Sequence, residues 1–229
     1  MVEKINILIT GSKGQLGKSI KDISSVYDHK FFFTDKTELD ITNYKNVEFF
    51  LKKNLINTIV NCAAYTNVND AELNKSHCES VNHTAVENIA KLCSELNIQL
   101  IHISTDYVFD GNANFAYTEN SGLAPINYYG KSKLRGEKKI LLHNPKKSVI
   151  IRTSWLYSFH GSNFLVKITD KLKKNREIFV VDNEIGSPTN SLDLAKTIID
   201  LIPKLSNQNI EIYHFSNLGL CSRYEFANK

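Results

Sequence analysis

The sequence has little cysteine, and neither its cysteines nor its histidines show the spacing of a metal site. The four cysteines, Cys62, Cys78, Cys93 and Cys221, are scattered along 229 residues without a CxxC pair. In a chain with no export signal this usage predicts reduced core or helix residues and no disulfide framework. The seven histidines show no ligand-like spacing either. We therefore expect no catalytic metal.

Long apolar runs are also missing, and the charge is nearly balanced. The apolar run Ile5–Ile9 meets a glycine almost at once, which is typical of a buried strand and not of a signal peptide or membrane span. The net charge is only +4, and one short basic run resembles a solvated helix end: Lys171, Lys173, Lys174 and Arg176. Without an extended basic stripe, a nucleic-acid partner is not indicated. We expect a cytoplasmic protein with no membrane partner.

Proline is scarce, with four residues, and apolar runs alternate with helical stretches over most of the chain. The helical stretches include Val81–Leu96, and Leu192–Leu205 with Ser191 as its N-cap. Short apolar runs predict strands at Lys4–Thr10, Lys30–Thr34, Thr58–Ala63, Gln99–Ser104, Ser148–Thr153, Glu177–Val181 and Glu211–Phe215. Strand alternating with helix predicts an α/β fold, a Rossmann-like doubly wound parallel sheet.

Three glycines follow the first predicted strand. Gly11, Gly14 and Gly17 have the spacing GxxGxxG and lead into a helix predicted from Lys18. Glycines at such a turn allow a tight bend, the approach of a pyrophosphate and close packing of helix on strand. The free N–H groups of the helix N-terminus attract phosphate. Because the turn lies between a strand and a helix, it predicts a dinucleotide site.

An acidic residue is expected about 20 residues further on, at the end of the second strand, to hold the adenosine ribose. Asp35 occupies that place, although it could also be a turn residue. Asp35 favours NAD, whereas the adjacent Lys36 could accompany the 2′-phosphate of NADP. The sequence leaves NADPH and NADH open as cofactors.

A hydroxyl motif and a Tyr–Lys pair follow. Ser104 and Thr105 come at the end of the fourth strand, where an open parallel sheet places ligands. Downstream, Tyr129 and Lys133 are four apart on a predicted helix and so share a face. The neighbouring Tyr128 has a serine at that spacing, which makes Tyr129 the better candidate.

These side chains suit the reduction of a ketone. Tyr129 would protonate the developing alkoxide, and we expect the Lys133 ammonium and the nicotinamide to lower the tyrosine pKa. The hydroxyl of Thr105, or that of Ser104, would hydrogen-bond the substrate carbonyl oxygen. The cofactor would supply the hydride.

The residues together resemble the extended short-chain dehydrogenases/reductases, and among them the dTDP-4-dehydrorhamnose reductase family. The resemblance runs from the first strand to the end of the chain. Its specific segments are Asn61–Val68, Ser104–Gly111, Tyr129–Leu134, Arg152–Trp155 and Gly186–Thr189.

The resemblance implies a role for each of these positions. The catalytic triad would be Thr105, Tyr129 and Lys133. Gly14, Gln15 and Leu16 would line the cofactor phosphates, and Asp35 would bind the ribose. Asp40 and Ile41 would flank the adenine. Ala63, Ala64 and Tyr65 would border the rest of the cofactor. The sugar nucleotide would touch Thr105, Asp106 and Trp155. Two alternatives stay open: Trp155 as an interior aromatic, and Asp40 as the N-cap of a helix before Tyr44.

Some positions depart from the pattern of the family. Asn183-Glu184 replaces an Asp-Gln pair, and Ser19 stands where some members carry a glutamate of a magnesium site, so no metal is expected. The resemblance also implies an incomplete C-terminal substrate lobe. It divides the chain into a dinucleotide-binding domain, residues 1–157, and a mixed segment, residues 158–229, whose strands and helix partly return to the sheet.

The implied activity is the NAD(P)H-dependent reduction of the C4 ketone of a nucleotide-linked 6-deoxy-4-keto sugar, giving dTDP-L-rhamnose from dTDP-4-dehydrorhamnose for polysaccharide biosynthesis. A homodimer is compatible with the resemblance. The alternative is a non-catalytic binding subunit, similar to the regulatory subunit of methionine adenosyltransferase. The complete triad of Thr105, Tyr129 and Lys133 favours the enzyme.

Overall fold

A parallel sheet forms the centre of the molecule. The computed structural model describes residues 5–174, 177–205 and 209–229. Its strands are β1 (Asn6–Thr10), β2 (Lys30–Phe33), β3 (Thr58–Asn61), β4 (Gln99–Thr105), β5 (Val149–Thr153), β6 (Leu156–Tyr157), β7 (Ile185–Gly186), β8 (Thr189–Asn190), β9 (Glu211–Phe215) and β10 (Cys221–Ser222). Six of them form one sheet in the order β2-β1-β3-β4-β5-β9, with all neighbours parallel. The predicted Rossmann-like α/β fold is confirmed.

Helices cover both faces of this sheet. They are α1 (Gln15–Ile23), α2 (Tyr44–Lys53), α3 (Val68–Leu73), α4 (Lys75–Glu79), α5 (Ala85–Leu96), α6 (Tyr128–His143), α7 (Phe164–Lys174), α8 (Ser191–Leu201) and α9 (Arg223–Ala227). Alternate residues of the strands point to opposite faces, so Leu8 and Ile59 pack under α2, α5 and α6. Ile7 and Val60 pack under α1 and α8. Each fully buried aliphatic side chain contributes about 1.5–3 kcal/mol to folding.

The order of the strands places the functional site. The chain moves from β1 outward to β2 and then crosses to β3 on the other side of β1. Such a reversal opens a crevice outside the carboxyl ends of the strands, where ligands of open α/β sheets bind. Among the described residues, no helix has both the length and the apolar character needed to cross a membrane.

Three details differ from the sequence predictions. The strand expected at Glu177–Val181 is not formed: this run joins none of the sheets, and the Val181 carbonyl oxygen instead accepts from the Tyr224 N–H at 3.0 Å. Helix α8 is capped by Asn190, whose side chain accepts from the Leu192 N–H at 2.8 Å, whereas the Ser191 hydroxyl donates to Ser19. The first helix begins at Gln15, earlier than predicted.

The end of the chain returns to the large sheet in part. Strand β9 pairs with β5, and α8 packs against α1. The lysines of the basic run lie in the last turn of α7; its fourth member, Arg176, lies outside the described residues. The boundary between residues 157 and 158 stays a prediction.

A buried ion pair joins α6 to the sheet. The side chains of Glu137 and Arg152 are 1% and 3% exposed, and the Arg152 Nη2 lies 2.7 Å from the Glu137 Oε2. The Ser104 hydroxyl donates to the same carboxylate. Removing one partner would leave the other buried without a counter-charge, which is costly.

We expect Glu137→Gln to lower the free energy of unfolding by about 3–5 kcal/mol, because Arg152 loses its anion. Urea denaturation would measure this difference. The matched control is Glu87→Gln, which breaks the partly exposed pair between Glu87 of α5 and Lys139 of α6 and should cost at most about 1 kcal/mol. An equal, small loss for both variants would contradict the prediction.

Candidate active site

One cavity of about 950 Å³ lies above the carboxyl ends of β1, β3 and β4. Every residue that the sequence analysis assigns to the site lines it. These residues are Gly11, Gly14, Gln15, Leu16, Gly17, Asp35, Asp40, Ile41, Ala63, Ala64, Tyr65, Thr105, Asp106, Tyr129, Lys133 and Trp155. The structure thus brings together side chains from distant parts of the chain.

The glycine turn leaves space for a phosphate at one of its three glycines. Gly11 has φ +63°, and a Cβ there would lie 2.8 Å from the Ala63 backbone. A Cβ on Gly17 would lie 2.6 Å from Gly11 and Ser12. At Gly14 it would meet only the Gly11 carbonyl oxygen, at 3.2 Å. The protein itself therefore requires the outer glycines, whereas Gly14 opens a cradle that fits a dinucleotide pyrophosphate.

Asp35 follows β2 and is held by its own turn and by a lysine. Its Oδ1 accepts from the Thr37 N–H at 2.7 Å and from the Thr37 hydroxyl at 2.6 Å. Its Oδ2 pairs with Lys13 of the glycine turn. The Lys13 and Thr37 hydrogen bonds hold the pKa of the Asp35 carboxyl well below its usual range. Asp35 is a turn residue, and it also lines the cavity beside Lys13 and Lys36, where it could bind a ribose.

The other positions expected to touch the cofactor lie along the same cavity. Asp40 does not cap α2, because Asn43 does, accepting from the Asn46 N–H. Asp40 instead accepts from the Thr42 N–H at 2.9 Å. At the end of β3, the backbone of Tyr65 is fixed by two hydrogen bonds with the Asn82 side chain, of 2.8 and 2.9 Å. The backbone that would border a cofactor is therefore held in place by the protein.

The two adjacent tyrosines of α6 have different surroundings. Tyr129 is 9% exposed and lines the cavity, with its ring edge-to-face against Tyr107 at 5.6 Å between centroids. The Tyr128 hydroxyl instead donates to Glu79, and its ring packs under Arg135. The side chain of Tyr129 is the one presented to a bound ligand.

The pKa of Tyr129 differs from the sequence prediction. Burial raises the pKa of the phenol above its ordinary value and outweighs the hydrogen bond with Thr105, which lowers it. The nearby Asp106 carboxylate raises it further. The expectation of a lowered pKa is thus wrong for the protein by itself, because desolvation disfavours the phenolate. Tyr129 keeps its proton throughout the neutral range.

The choice between the two hydroxyls at the end of β4 is made by their partners. Ser104 donates to the buried Glu137. Thr105 donates to the Asp106 Oδ1 at 3.1 Å, and it acts on the Tyr129 phenol by lowering its pKa. Burial raises the pKa of Asp106 to about 6. Both hydroxyl residues line the cavity, but Ser104 is committed to Glu137, so Thr105 is the hydroxyl that acts beside the tyrosine.

Lys133 is 1% exposed. Its Nζ donates to the Ile103 carbonyl oxygen at 2.7 Å and lies 3.2 Å from the His102 Nε2. Burial lowers the pKa of Lys133 to about 8. The sequence analysis missed His102, which lies inside a strand and carries no motif.

Trp155 lies at the other end of the cavity and is half-buried, so it is more than an interior aromatic. Arg223 stacks on its indole, 3.6 Å from the centroid, and pairs with Glu184. Arg223 also lines the cavity and was not predicted. The capping box of Ser222 and Glu225 is a local signal for a helix at this point. It does not predict the contact of Arg223 with Trp155, which depends on the fold.

Comparisons with known proteins agree with this site. Residues 5–229 match the family model described as RmlD substrate binding domain. The chain is 41% identical over 226 residues to the dTDP-4-dehydrorhamnose reductase of Aggregatibacter actinomycetemcomitans, covering 96% of this chain and 76% of that protein. It is 35% identical over 221 residues to the dTDP-4-keto-6-deoxy-D-glucose reductase of Streptomyces niveus, covering 96% and 75%.

A solved structure resembles the whole chain. The dTDP-4-dehydrorhamnose reductase of Bacillus anthracis, crystallised in complex with NADP, superposes with a TM-score of 0.92 at 38% identity. The match covers 100% of this chain and 80% of that one. Fold and sequence therefore point to the same group of proteins.

Proposed function

This chain belongs to the dTDP-4-dehydrorhamnose reductase family, and from that membership we propose that it uses NADPH or NADH to reduce the C4 ketone of dTDP-4-dehydrorhamnose to dTDP-L-rhamnose. The observation that carries the proposal is the single cavity that joins the glycine turn to Thr105, Tyr129 and Lys133. It provides a place for a dinucleotide and a proton donor for the product alkoxide.

The residues divide the work of this reaction. The reduced nicotinamide, when bound, supplies the hydride. Gly14 and the N-terminus of α1 would hold its pyrophosphate. Tyr129, whose pKa burial raises further above neutrality, would donate its phenolic proton to the C4 oxygen. Thr105 would hydrogen-bond that oxygen and orient the carbonyl. The positive charge of Lys133 would stabilise the negative charge left on Tyr129 after it donates its proton.

The far end of the cavity suits the sugar nucleotide. Trp155 offers an aromatic face for the sugar, and the guanidinium of Arg223 is a donor for its diphosphate. Asp106 adds a carboxyl beside Thr105. We assign substrate contact to Asp106 and Trp155, and add Arg223 to them.

An assay of the purified chain should separate the candidate substrates. We expect NADPH and NADH each to be consumed with dTDP-4-dehydrorhamnose, with the lower KM for NADPH because Lys13 and Lys36 lie beside Asp35. The name of the Streptomyces niveus relative makes dTDP-4-keto-6-deoxy-D-glucose the comparison substrate. NMR of the product would give the configuration at C4. Tight NADPH binding without turnover of any 4-keto sugar would instead support a regulatory binding subunit.

A cytoplasmic location and a homodimer stay predictions from the sequence. Cell fractionation and light scattering would check them.

A further inference from the structure

A buried polar chain lies behind the amino group of Lys133. Thr10 and Asn61 are the last residues of β1 and β3, and His102 lies in the middle of β4. All three side chains are at most 2% exposed. The Thr10 hydroxyl lies 2.7 Å from the Asn61 Oδ1, and the Asn61 Nδ2 lies 3.1 Å from the His102 Nδ1. The His102 Nε2 completes the chain at 3.2 Å from the Lys133 Nζ. The proposed reaction assigns no task to these three residues.

The direction of these hydrogen bonds is set at one end by the backbone. The Ala63 N–H can only donate, and it donates to the Thr10 Oγ1 at 3.3 Å. The Thr10 hydroxyl is then free to donate to the Asn61 Oδ1, which turns the amide N–H₂ of Asn61 toward His102. An amide nitrogen has no acceptor capacity, so the His102 Nδ1 must accept.

This order leaves His102 with its proton on the other nitrogen. Burial holds the pKa of His102 well below its ordinary value, so the ring is neutral. A neutral ring that accepts at Nδ1 carries its proton on Nε2. That N–H faces the lysine nitrogen, which itself donates to the Ile103 carbonyl oxygen. A neutral amine can accept such a bond, whereas an ammonium cannot.

We propose that His102 is a positioning residue: held by Asn61 in the Nε2–H tautomer, it hydrogen-bonds the neutral amine of Lys133 and so favours the loss of the lysine proton. This role of His102 rests on the proposed reduction, because the kinetic test requires the chain to reduce a ketone. His102 does not titrate near neutrality, because burial holds its pKa well below the ordinary value. We therefore expect it to leave the acidic limb of the pH–activity profile unchanged. Lys133 would set the alkaline limit, because burial keeps Tyr129 protonated to higher pH.

Other titratable groups also face this lysine. They come from the end of β3, from α4, from β4 and from α6 itself: Cys62, Cys78, His102 and Glu137. The thiols and Glu137 raise the lysine pKa, and burial lowers it by more. Glu137 is committed to Arg152 and Ser104. His102 is the group in hydrogen-bonding contact with the Lys133 Nζ.

Two variants test the tautomer through the alkaline limb of the kcat profile. His102→Phe keeps the ring volume and removes the N–H, so the limb should move to higher pH. In Asn61→Asp the carboxylate cannot donate to the His102 Nδ1. It would instead accept from an Nδ1–H, so the ring would change tautomer and present the lone pair of Nε2 to the Lys133 ammonium. The limb should again rise, by about one pH unit or more.

A control in the same strands separates positioning from stability. In the register of β3 and β4, Thr58 pairs with Gln99 three residues before Asn61 pairs with His102. Their side chains also share a buried hydrogen bond of 2.9 Å, at the end remote from the cavity. Gln99→Leu should lower the melting temperature and leave the pH profile in place. A limb that is unmoved or lowered in both site variants would overturn the proposal.

Nitrogen NMR of the histidine-labelled protein gives a readout that needs no substrate. The His102 signals, assigned through their loss in His102→Phe, should show an unprotonated Nδ1 and a protonated Nε2 across the neutral range. A protonated Nδ1 would refute the tautomer. If the parent reduced no 4-keto sugar, the proposed function would fail while this measurement still decided the state of His102.

Discussion

Tyr129→Phe is expected to lower kcat for ketone reduction about a thousandfold, as loss of a general acid typically does, with NADPH affinity within about twofold of the parent. The phenol lines the cavity beside Thr105, and burial raises its pKa, so that it carries the proton that it would donate. Phenylalanine preserves the edge-to-face contact with Tyr107, so the substitution removes the proton donor and little of the packing. Steady-state kinetics and a fluorescence titration of NADPH would measure the two effects separately.

The adjacent tyrosine offers a matched control. Tyr128 lies on the same helix but bonds to Glu79, so Tyr128→Phe should change kcat by no more than about twofold. If Tyr129→Phe retained activity within a few-fold of the parent, the phenol would not be the proton donor. The same pair of variants also discriminates a reductase from a binding subunit, since only a reductase has a rate for them to change.

Gly14→Val should weaken NADPH binding at least about a hundredfold, a loss of about 2.7 kcal/mol. A side chain at this position would occupy the path of the pyrophosphate, yet within the protein its Cβ would meet only the Gly11 carbonyl oxygen, at 3.2 Å. The backbone of Gly14 is extended, with φ −72° and ψ 172°, a conformation that valine adopts readily. We therefore expect the melting temperature of the ligand-free protein to stay near that of the parent.

Gly17 supplies the contrasting case. A Cβ there would lie 2.6 Å from the Ser12 Cα, so Gly17→Ala should destabilise the ligand-free protein. Thermal melts and NADPH titrations of both variants would distinguish a glycine required by the ligand from one required by the fold. An unchanged NADPH affinity in Gly14→Val would contradict the assignment of this turn to phosphate.

The strands of the large sheet could be predicted because each is a short apolar run that ends at a turn. β1 and β3 are buried on both faces, so the middle of each is apolar, with Ile7–Ile9 and Ile59–Val60 standing out locally. The run Glu177–Val181 looks similar but forms no strand, since a strand also needs a partner to pair with. Whether a partner lies beside a run depends on how distant elements pack, which no local window contains. Likewise, Ser191 looks like a cap, but its hydroxyl is taken by Ser19 from α1.

The sequence by itself determined the order of the elements, the glycine turn and the Tyr129–Lys133 pair, because periodicity and short spacings depend on neighbours along the chain. Only the tertiary structure decided that Ser104 is committed to Glu137, that Arg223 reaches Trp155, and that His102 lies behind Lys133. These contacts join residues from different elements, and their chemistry depends on burial. Burial is a property of the packed molecule, and it raises the pKa of Tyr129 and lowers the pKa of Lys133.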